Sequence, residues 1–460
     1  MTDNRAPRPT TASSWRFPAT FWIANVIELG ERAAYYGTFI FLTVFLTSVV
    51  GYSDVASGWI VAAFAGALYL LPLFAGAAAD RIGYRRALLL AFAFLSAGYA
   101  ALALLPHKGV VLLSLLALCL GGALVKPVIT GTVARTSDAD HRARAFSLFY
   151  MLVNIGSFTG KAVAKPVRAA LGVGAIPLYS AGAACFALLL VALFYFPDRS
   201  AGRNETKIES KTLRGVLDDL KVVLRNRRFL ALVLITAGYW TIQGQLYASM
   251  PKFVLRMVGE DASPEWYANI NPMMVVLLVV PITHLCRRLP PLASIGLCLG
   301  LVPLSALSIA VLPGVLSPAR ISLLGRVVLL PAMTQAMCIG IALQGLAECF
   351  LTPRYYEFAS RQAPKGQEGL YMGYGHLNTF FAWLFGFILS GYLLEAFCPD
   401  PARLPRVEQV ARLLWLRGEG PVPAAYAHAA YLWYTFAAIG ACAFALLLVF
   451  HLLTRRRPLR

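Results

Sequence analysis

Apolar stretches of about 20 residues recur along the whole chain, and this repetition limits its fold more than any other feature. A helix of that length crosses the hydrocarbon core of a bilayer, which is roughly 30 Å thick. The composition agrees, since 58% of the residues are hydrophobic and only 14% are charged. We therefore predict an all-α membrane protein with twelve spans, at residues 20–49, 56–79, 86–105, 110–134, 145–170, 174–196, 229–250, 267–285, 291–313, 321–350, 369–396 and 429–453.

The net charge of +19 would indicate nucleic-acid binding in a soluble protein. Here the basic residues lie in short loops between spans, the pattern typical of loops that stay in the cytoplasm. One alternating set of loops and the C-terminal tail hold Arg81, Arg85, Arg86, Arg135, Arg142, Arg144, Arg287, Arg288, Arg354, Arg361, Lys365, Arg455, Arg456, Arg457 and Arg460. The loop 51–55 has no Lys or Arg, and only the long loop 397–428 departs from the pattern. We predict cytoplasmic N- and C-termini and no nucleic-acid partner.

A long basic segment at 197–228 divides the chain near its middle. Six spans, a linker and six more spans are typical of secondary transporters whose binding site lies between two halves. The expected organisation is a cytoplasmic tail at 1–19, a six-helix bundle at 20–196, a cytoplasmic linker at 197–228, a second six-helix bundle at 229–453 and a cytoplasmic tail at 454–460.

The first span contains three ionisable residues, Glu28, Glu31 and Arg32. Each costs roughly 2.5–3.5 kcal/mol on insertion scales, so they must face protein or water. Their spacing of three and four residues places them on one helix face. Two carboxylates beside one arginine favour a carboxyl group whose protonation responds to conformation. The alternative is a static ion pair that only orders the helix.

The loop between the second and third spans resembles the GxxxDRxGRR signature of the major facilitator superfamily. The residues that carry the resemblance are Gly76, Asp80, Arg81, Gly83, Arg85 and Arg86. It implies a twelve-helix fold of two six-helix bundles, with this loop as a structural motif and a gate between the bundles on the cytoplasmic side. The alternative is a positive-inside anchor with an incidental Asp.

The segment Glu28-Leu-Gly-Glu31-Arg32-Ala-Ala-Tyr35-Tyr36-Gly37 closely resembles the ExxERFxYYG motif of the proton-dependent oligopeptide transporter family, a branch of that superfamily. More segments agree in order and spacing: Tyr69, Lys126-Pro127, Phe149-Tyr150 with Asn154, Asn271-Pro272, Glu348 with Thr352-Pro353, Ala363-Pro364-Lys365 and Met372-Gly373. The resemblance implies a symporter that uses the proton gradient and needs no cofactor.

The resemblance assigns proton coupling to Glu28, Glu31, Arg32 and Lys126. It assigns substrate binding to Tyr35, Tyr36, Tyr69, Lys126, Asn154, Asn271, Glu348 and Thr352. Lys126 is the lone cation of its span and Glu348 is the lone acid of its span, one in each half. A zwitterionic ligand needs one pole of each sign. For each Tyr or Asn taken singly, helix packing is the alternative.

Two positions depart from the family together. Phe39 stands where the family commonly has a basic residue, and Gly244 stands where it often has Glu. In the family this pair is thought to form an external ion-pair gate. We infer that the external gate here closes through apolar and polar packing. Two roles are open for Lys161. It either lines the cavity and attracts an anionic substrate or belongs, with Lys165 and Arg168, to a group that reaches outward.

The resulting hypothesis is a monomeric symporter that imports di- or tripeptides or related small polar solutes, in the cytoplasmic membrane if the source is bacterial. A relative that transports an amino acid, nitrate or a drug-like anion is the alternative. The sequence has none of the HExxH, GxSxG or Walker patterns expected of a membrane enzyme, and no output domain expected of a sensor.

Overall fold

The computed structural model describes residues 17–137, 141–196, 213–323, 326–362 and 374–455. These residues form seventeen α-helices and one β-hairpin. The first eight helices are α1 (Ala19–Phe39), α2 (Leu42–Ser48), α3 (Asp54–Leu70), α4 (Pro72–Ile82), α5 (Tyr84–Leu104), α6 (Lys108–Arg135), α7 (Arg142–Leu171) and α8 (Ile176–Phe194). The others are α9 (Leu213–Arg225), α10 (Arg227–Ala248), α11 (Met250–Met257), α12 (Pro264–Leu285), α13 (Pro291–Val311), α14 (Ala332–Gln362), α15 (Leu377–Phe397), α16 (Arg406–Leu416) and α17 (Tyr431–Arg455).

Nine of the described helical segments are long and apolar enough to cross a membrane, or ten if the bent pair α3 and α4 counts as one span. The bend of 52° between α3 and α4 falls where Pro72 removes a backbone donor. Two more long helices, α1 and α7, carry the charged residues predicted inside spans. Together these segments give the twelve helices expected, and the all-α membrane fold is confirmed.

The helices form two sets, which contact each other through two helix pairs. In the first set α1 packs on α7 and α8, and α5 packs on α6 and α8. In the second, α13 packs on α14 and α17, while α10 packs on α15 and α17. The two sets meet where α3 packs on α15 and where α7 packs on α12. The side of the bundle where α3 begins is called the Asp54 end below, and the opposite side, where α4 ends, is called the Asp80 end.

The contact between α3 and α15 depends on two glycines. A Cβ at Gly58 would lie 2.6 Å from the Phe387 carbonyl oxygen, and one at Gly391 would lie 2.6 Å from the Asp54 carbonyl oxygen. Real Cβ atoms do not come so close, so any larger residue would force the two backbones apart. Small residues that let helices approach closely are typical of membrane interfaces.

The predicted span at 321–350 is wrong at its start. Residues Ala319–Leu323 (β1) and Arg326–Leu330 (β2) pair as an antiparallel hairpin, with Ala319 opposite Leu330, and α14 begins only at Ala332. A short apolar run rich in β-branched residues has no periodicity that separates strand from helix. The predicted start of the next span, at 369, lies outside the described residues.

Candidate functional site

A cavity of about 120 Å³ lies among the helices of the first set and reaches α15 of the second. It combines three charged side chains with several tyrosines on an apolar wall, which suits a small polar solute. Its lining residues are Glu31, Arg32, Tyr35, Tyr36, Phe64, Leu68, Tyr69, Pro72, Leu95, Tyr99, Leu118, Gly122, Lys126 and Trp383.

The three ionisable residues of α1 form one charge cluster, as their spacing predicts. The Arg32 Nε lies 3.2 Å from Glu28 Oε1, and the guanidinium also pairs with the Glu31 carboxylate. Glu28 and Glu31 are only 2% and 3% exposed. Among the described residues, Glu28 Oε2 has no hydrogen-bond partner. One arginine therefore serves two buried carboxylates, and this leaves their negative charge only partly balanced.

Lys126 projects from α6 into the cavity. Its side chain is exposed there, and its ammonium lies within electrostatic reach of Glu28, Glu31 and Arg32. The Lys126 ammonium forms no hydrogen bond or ion pair with a side chain or carbonyl that the structure describes. The amine is therefore close to the α1 cluster and still free to meet a ligand.

Glu348 on α14 lies outside the residues that line this cavity. Its Oε2 accepts a hydrogen bond of 3.0 Å from the Tyr239 hydroxyl and one of 3.4 Å from Asn271 Nδ2. Tyr36 lies within electrostatic reach of both Glu31 and Glu348. Lys126 and Glu348, the predicted positive and negative poles of the site, thus lie in opposite halves. Lys126 lines the cavity described above, whereas Glu348 does not. Asn271 was assigned to the substrate, and Tyr239, the second residue that holds the Glu348 carboxylate, was not identified from the sequence.

The remaining predicted binding residues divide into two groups. Tyr35, Tyr36 and Tyr69 line the cavity, and the Tyr69 ring meets Trp383 edge-on with centroids 5.4 Å apart. Asn154 and Thr352 do not line it. Asn154 donates to the Tyr150 carbonyl at 2.8 Å, and the buried Thr352 hydroxyl has no hydrogen-bond partner among the described residues.

The loop motif between α4 and α5 makes its contacts within the first set of helices. Asp80 lies 3.5 Å from Arg135 of α6, and Arg85 donates to the Ala192 carbonyl of α8 at 2.7 Å. Gly83 has a φ of +89°, a conformation that favours glycine. Gly76 lies close to α6, while Arg81 and Arg86 are exposed. The ion pair of Asp80 with Arg135 therefore lies within the first set and does not join it to the second, in contrast to the predicted gate between bundles.

At the Asp54 end, an aromatic cluster packs around Trp383, which lines the cavity. Phe39 stacks on Trp383 at 5.5 Å and packs against Tyr247 at 5.0 Å. A Cβ at Gly244 would lie 3.2 Å from the Trp383 ring, so the small residue gives this ring room. The two departures from the family pattern, Phe39 and Gly244, thus meet at one tryptophan.

An ion cluster at the same end corrects the inference of a gate without charges. Lys252 Nζ lies 2.8 Å from Asp54 Oδ1, and Arg256 donates to both Asp54 oxygens at 2.9 Å. All three side chains are almost fully buried, and they join α3 to α11. The prediction missed them because α11 continues beyond the predicted span end at 250. The i,i+4 spacing of Lys252 and Arg256 was the available signal.

The basic residues of α7 neither line the cavity nor all reach outward. Lys161 is 1% exposed, and its Nζ donates to the Ala268 carbonyl at 3.4 Å beside the Tyr36 ring. Arg168 pairs with Glu265 of α12 at 2.7 Å, and Lys165 donates to the Asp261 carbonyl at 3.3 Å. Lys161 therefore neither lines the cavity nor reaches outward. It joins α7 to α12 instead.

The family model described as Major Facilitator Superfamily matches residues 26–324. Multidrug resistance protein MdtH of Cronobacter sakazakii (strain ATCC BAA-894) is 26% identical over 337 residues, which are 71% of this chain and 74% of that protein. Dipeptide and tripeptide permease A of Salmonella typhi is 32% identical over 162 residues, which are 34% of this chain and 32% of that protein.

Solved structures of similar fold include a peptide transporter POT in complex with sulfate and the POT family transporter PepTSo. The first is 18% identical with a TM-score of 0.69, and 95% of each chain is covered. The second is 17% identical with a TM-score of 0.69 and covers 96% of this chain and 99% of its own. At these identities the likeness establishes the fold, which is the predicted one.

Proposed function

The chain belongs to the Major Facilitator Superfamily, a superfamily of membrane transporters, and from this premise we propose that it is a proton-coupled symporter of di- and tripeptides. The observation that carries the proposal is the position of Glu31, which lines the cavity while it shares Arg32 with Glu28 and lies within reach of Lys126. A proton acceptor and two cations thus face the space where a solute would sit.

The coupling step follows from charge balance in this cluster. When a proton neutralises Glu31, Arg32 and Lys126 lose part of their counter-charge, and they become available to a peptide carboxylate. The substrate and the proton then stabilise the same conformation, which is the requirement for symport. Glu348, held by Tyr239 and Asn271, supplies the opposite pole for a peptide amino group.

The proposed transport cycle alternates between two ends of the bundle. The conformation described here is closed at the Asp54 end by the aromatic cluster and the ion cluster. The distribution of Lys and Arg supports a cytoplasmic Asp80 end and cytoplasmic termini. In a bacterial source the protein would lie in the inner membrane and act as a monomer, with the proton gradient as its energy source.

A second candidate, transport of a drug-like or other small solute, rests on a different observation. The relatives matched over 71% of this chain are named multidrug resistance proteins, whereas the named peptide permease matches over 34%. Phe39 and Gly244 also pack against Trp383 of the cavity lining, so aromatic contacts stand where the family has a charged gate.

A binding panel separates the two candidates. Thermal stabilisation of the purified protein is measured with dialanine, trialanine, alanine, nitrate, and an aromatic cation and anion typical of drugs. Peptide transport predicts stabilisation by dialanine and trialanine, with loss of that response in Glu348→Gln. Stabilisation by the aromatic ions alone, unchanged in Glu348→Gln, would replace peptide transport with the second candidate.

A further inference from the structure

Helix α16 turns an apolar face away from the rest of the protein. Val407, Val410, Leu413 and Leu414 are 81%, 55%, 53% and 39% exposed. At 3.6 residues per turn, these four side chains occupy one arc of about 120° on the helix surface. A surface helix of a soluble domain would turn such an arc toward the core. This face therefore requires a partner other than water.

The opposite face of α16 is fixed to the protein. The buried Arg412 donates from Nε to the Arg256 carbonyl at 3.0 Å and from Nη2 to the Leu255 carbonyl at 2.9 Å. These carbonyls belong to the last turn of α11, where helix carbonyls have no intrahelical donor. The Trp415 ring also stacks on Tyr426, with centroids 6.4 Å apart. The outward direction of the apolar face is therefore set by these contacts.

The position of α16 in the chain suggests what its apolar face meets. It connects two spans, α15 and α17, at the Asp54 end, and α17 begins with the exposed aromatic residues Tyr431 and Tyr434. Exposed tyrosines at the end of a span are typical of the boundary between the acyl chains and the headgroups. The chain position therefore places α16 near this boundary, where its apolar face can meet acyl chains.

Two arginines, one at each end of this apolar face, indicate which kind of partner it binds. The exposed Arg406 and Arg417 lie in the same arc, one at the start of the helix and one just after its end, and no exposed acid of α16 accompanies them. Guanidinium groups match the geometry of phosphate oxygens. A second copy of the chain would bring the same arginines together, and their repulsion would oppose such a dimer.

We propose that α16 lies in the bilayer interface of the leaflet at the Asp54 end. Its four aliphatic side chains enter the acyl region, and Arg406 and Arg417 bind the phosphates of anionic phospholipids. Amphipathic helices with basic residues bind membranes in this orientation.

Depth-dependent quenching tests the position of the helix. A nitrobenzoxadiazole label is attached to Val410→Cys or, as the control, to Glu419→Cys, which is exposed just beyond the helix. The exposed Cys185 and Cys442 are first replaced by alanine, and the protein is placed in vesicles of phosphatidylcholine and phosphatidylglycerol. We expect spin-labelled lipid to quench the label at 410 strongly and aqueous iodide to quench the label at 419. Equal iodide quenching at both positions, or protection of 410 from both quenchers by a protein partner, would overturn the proposal.

The lipid specificity has a separate test. Thermal stability is compared in phosphatidylcholine with and without phosphatidylglycerol for the wild type, for Arg406→Gln/Arg417→Gln and for the control Arg403→Gln. We expect the double variant to lose most of the stabilisation by phosphatidylglycerol and the control to keep it. An unchanged response in the double variant would remove the arginines from the proposed lipid contact.

Discussion

Glu31 and Asp54 are both nearly inaccessible to solvent, and their neighbours give them different tasks. Asp54 receives hydrogen bonds from Lys252 and Arg256, so two cations face one carboxylate. Glu31 shares one arginine with Glu28 and lies beside the cavity. A carboxylate that faces two cations stays ionised and holds the helices together. A carboxylate that shares one cation with a second carboxylate is suited to accept a proton.

Glu31→Gln tests the proposed coupling residue. The amide keeps the size of the side chain and removes the proton site, so we expect no uphill accumulation of dialanine under a proton gradient. Exchange of external for internal dialanine, which moves no net proton, should continue. Glu395→Gln on the exposed surface of α15 serves as the control. Accumulation at the wild-type level in Glu31→Gln would assign coupling to another group.

Asp54→Asn tests the ion cluster. Removing one partner of a buried charge network leaves two cations uncompensated, and we expect a loss of about 3–5 kcal/mol in stability. Asp218→Asn breaks the exposed pair with Lys221, at 3.0 Å, and should change stability by less than about 1 kcal/mol. Thermal unfolding in one detergent compares the two variants. Similar unfolding temperatures for both would contradict a buried network.

Helices α3 and α15 form the closest described contact between the two sets, and its geometry explains why the Asp54 end is closed. The two glycines bring backbone against backbone, and the ion cluster joins α11 to the first turn of α3 beside this contact. The glycine contact and the ion cluster therefore both hold the first set against the second at this end.

Gly58→Val tests this contact. The added side chain collides with the Phe387 carbonyl and should hold the Asp54 end open, exposing the buried Cys398. The measurement is the rate of Cys398 modification by a charged maleimide, with Cys185 and Cys442 replaced by alanine. Gly182→Val is the control, since a Cβ there meets no atom within 4 Å. A modification rate in Gly58→Val equal to the control rate would mean that the glycine contact does not hold this end closed.

The sequence predicts elements better than it predicts contacts between them. Helical spacing correctly placed Glu28, Glu31 and Arg32 on one face, because that relation lies within one helix. The Asp54 cluster joins residues almost 200 positions apart, and no local pattern contains such a pair. The β-hairpin was missed because its apolar residues also suit a membrane helix.

In the whole molecule, transport by alternating access requires the two helical sets to open in turn on either side of the charged cavity. Two ion clusters that join the sets, Asp54 with α11 and Arg168 with Glu265, lie at the Asp54 end. Asp80 pairs within its own set at the other end. In the described conformation the two sets are therefore held together at the Asp54 end. Transport requires the ion pairs of both clusters to break when that end opens.

The most direct test is uptake of radiolabelled dialanine into proteoliposomes with an imposed pH gradient, acid outside. Proton-coupled peptide transport predicts accumulation above the external concentration, collapse of that accumulation when a protonophore is added, and competition by unlabelled trialanine. Uptake that only equilibrates, at a rate indifferent to the gradient, would contradict proton-coupled peptide transport.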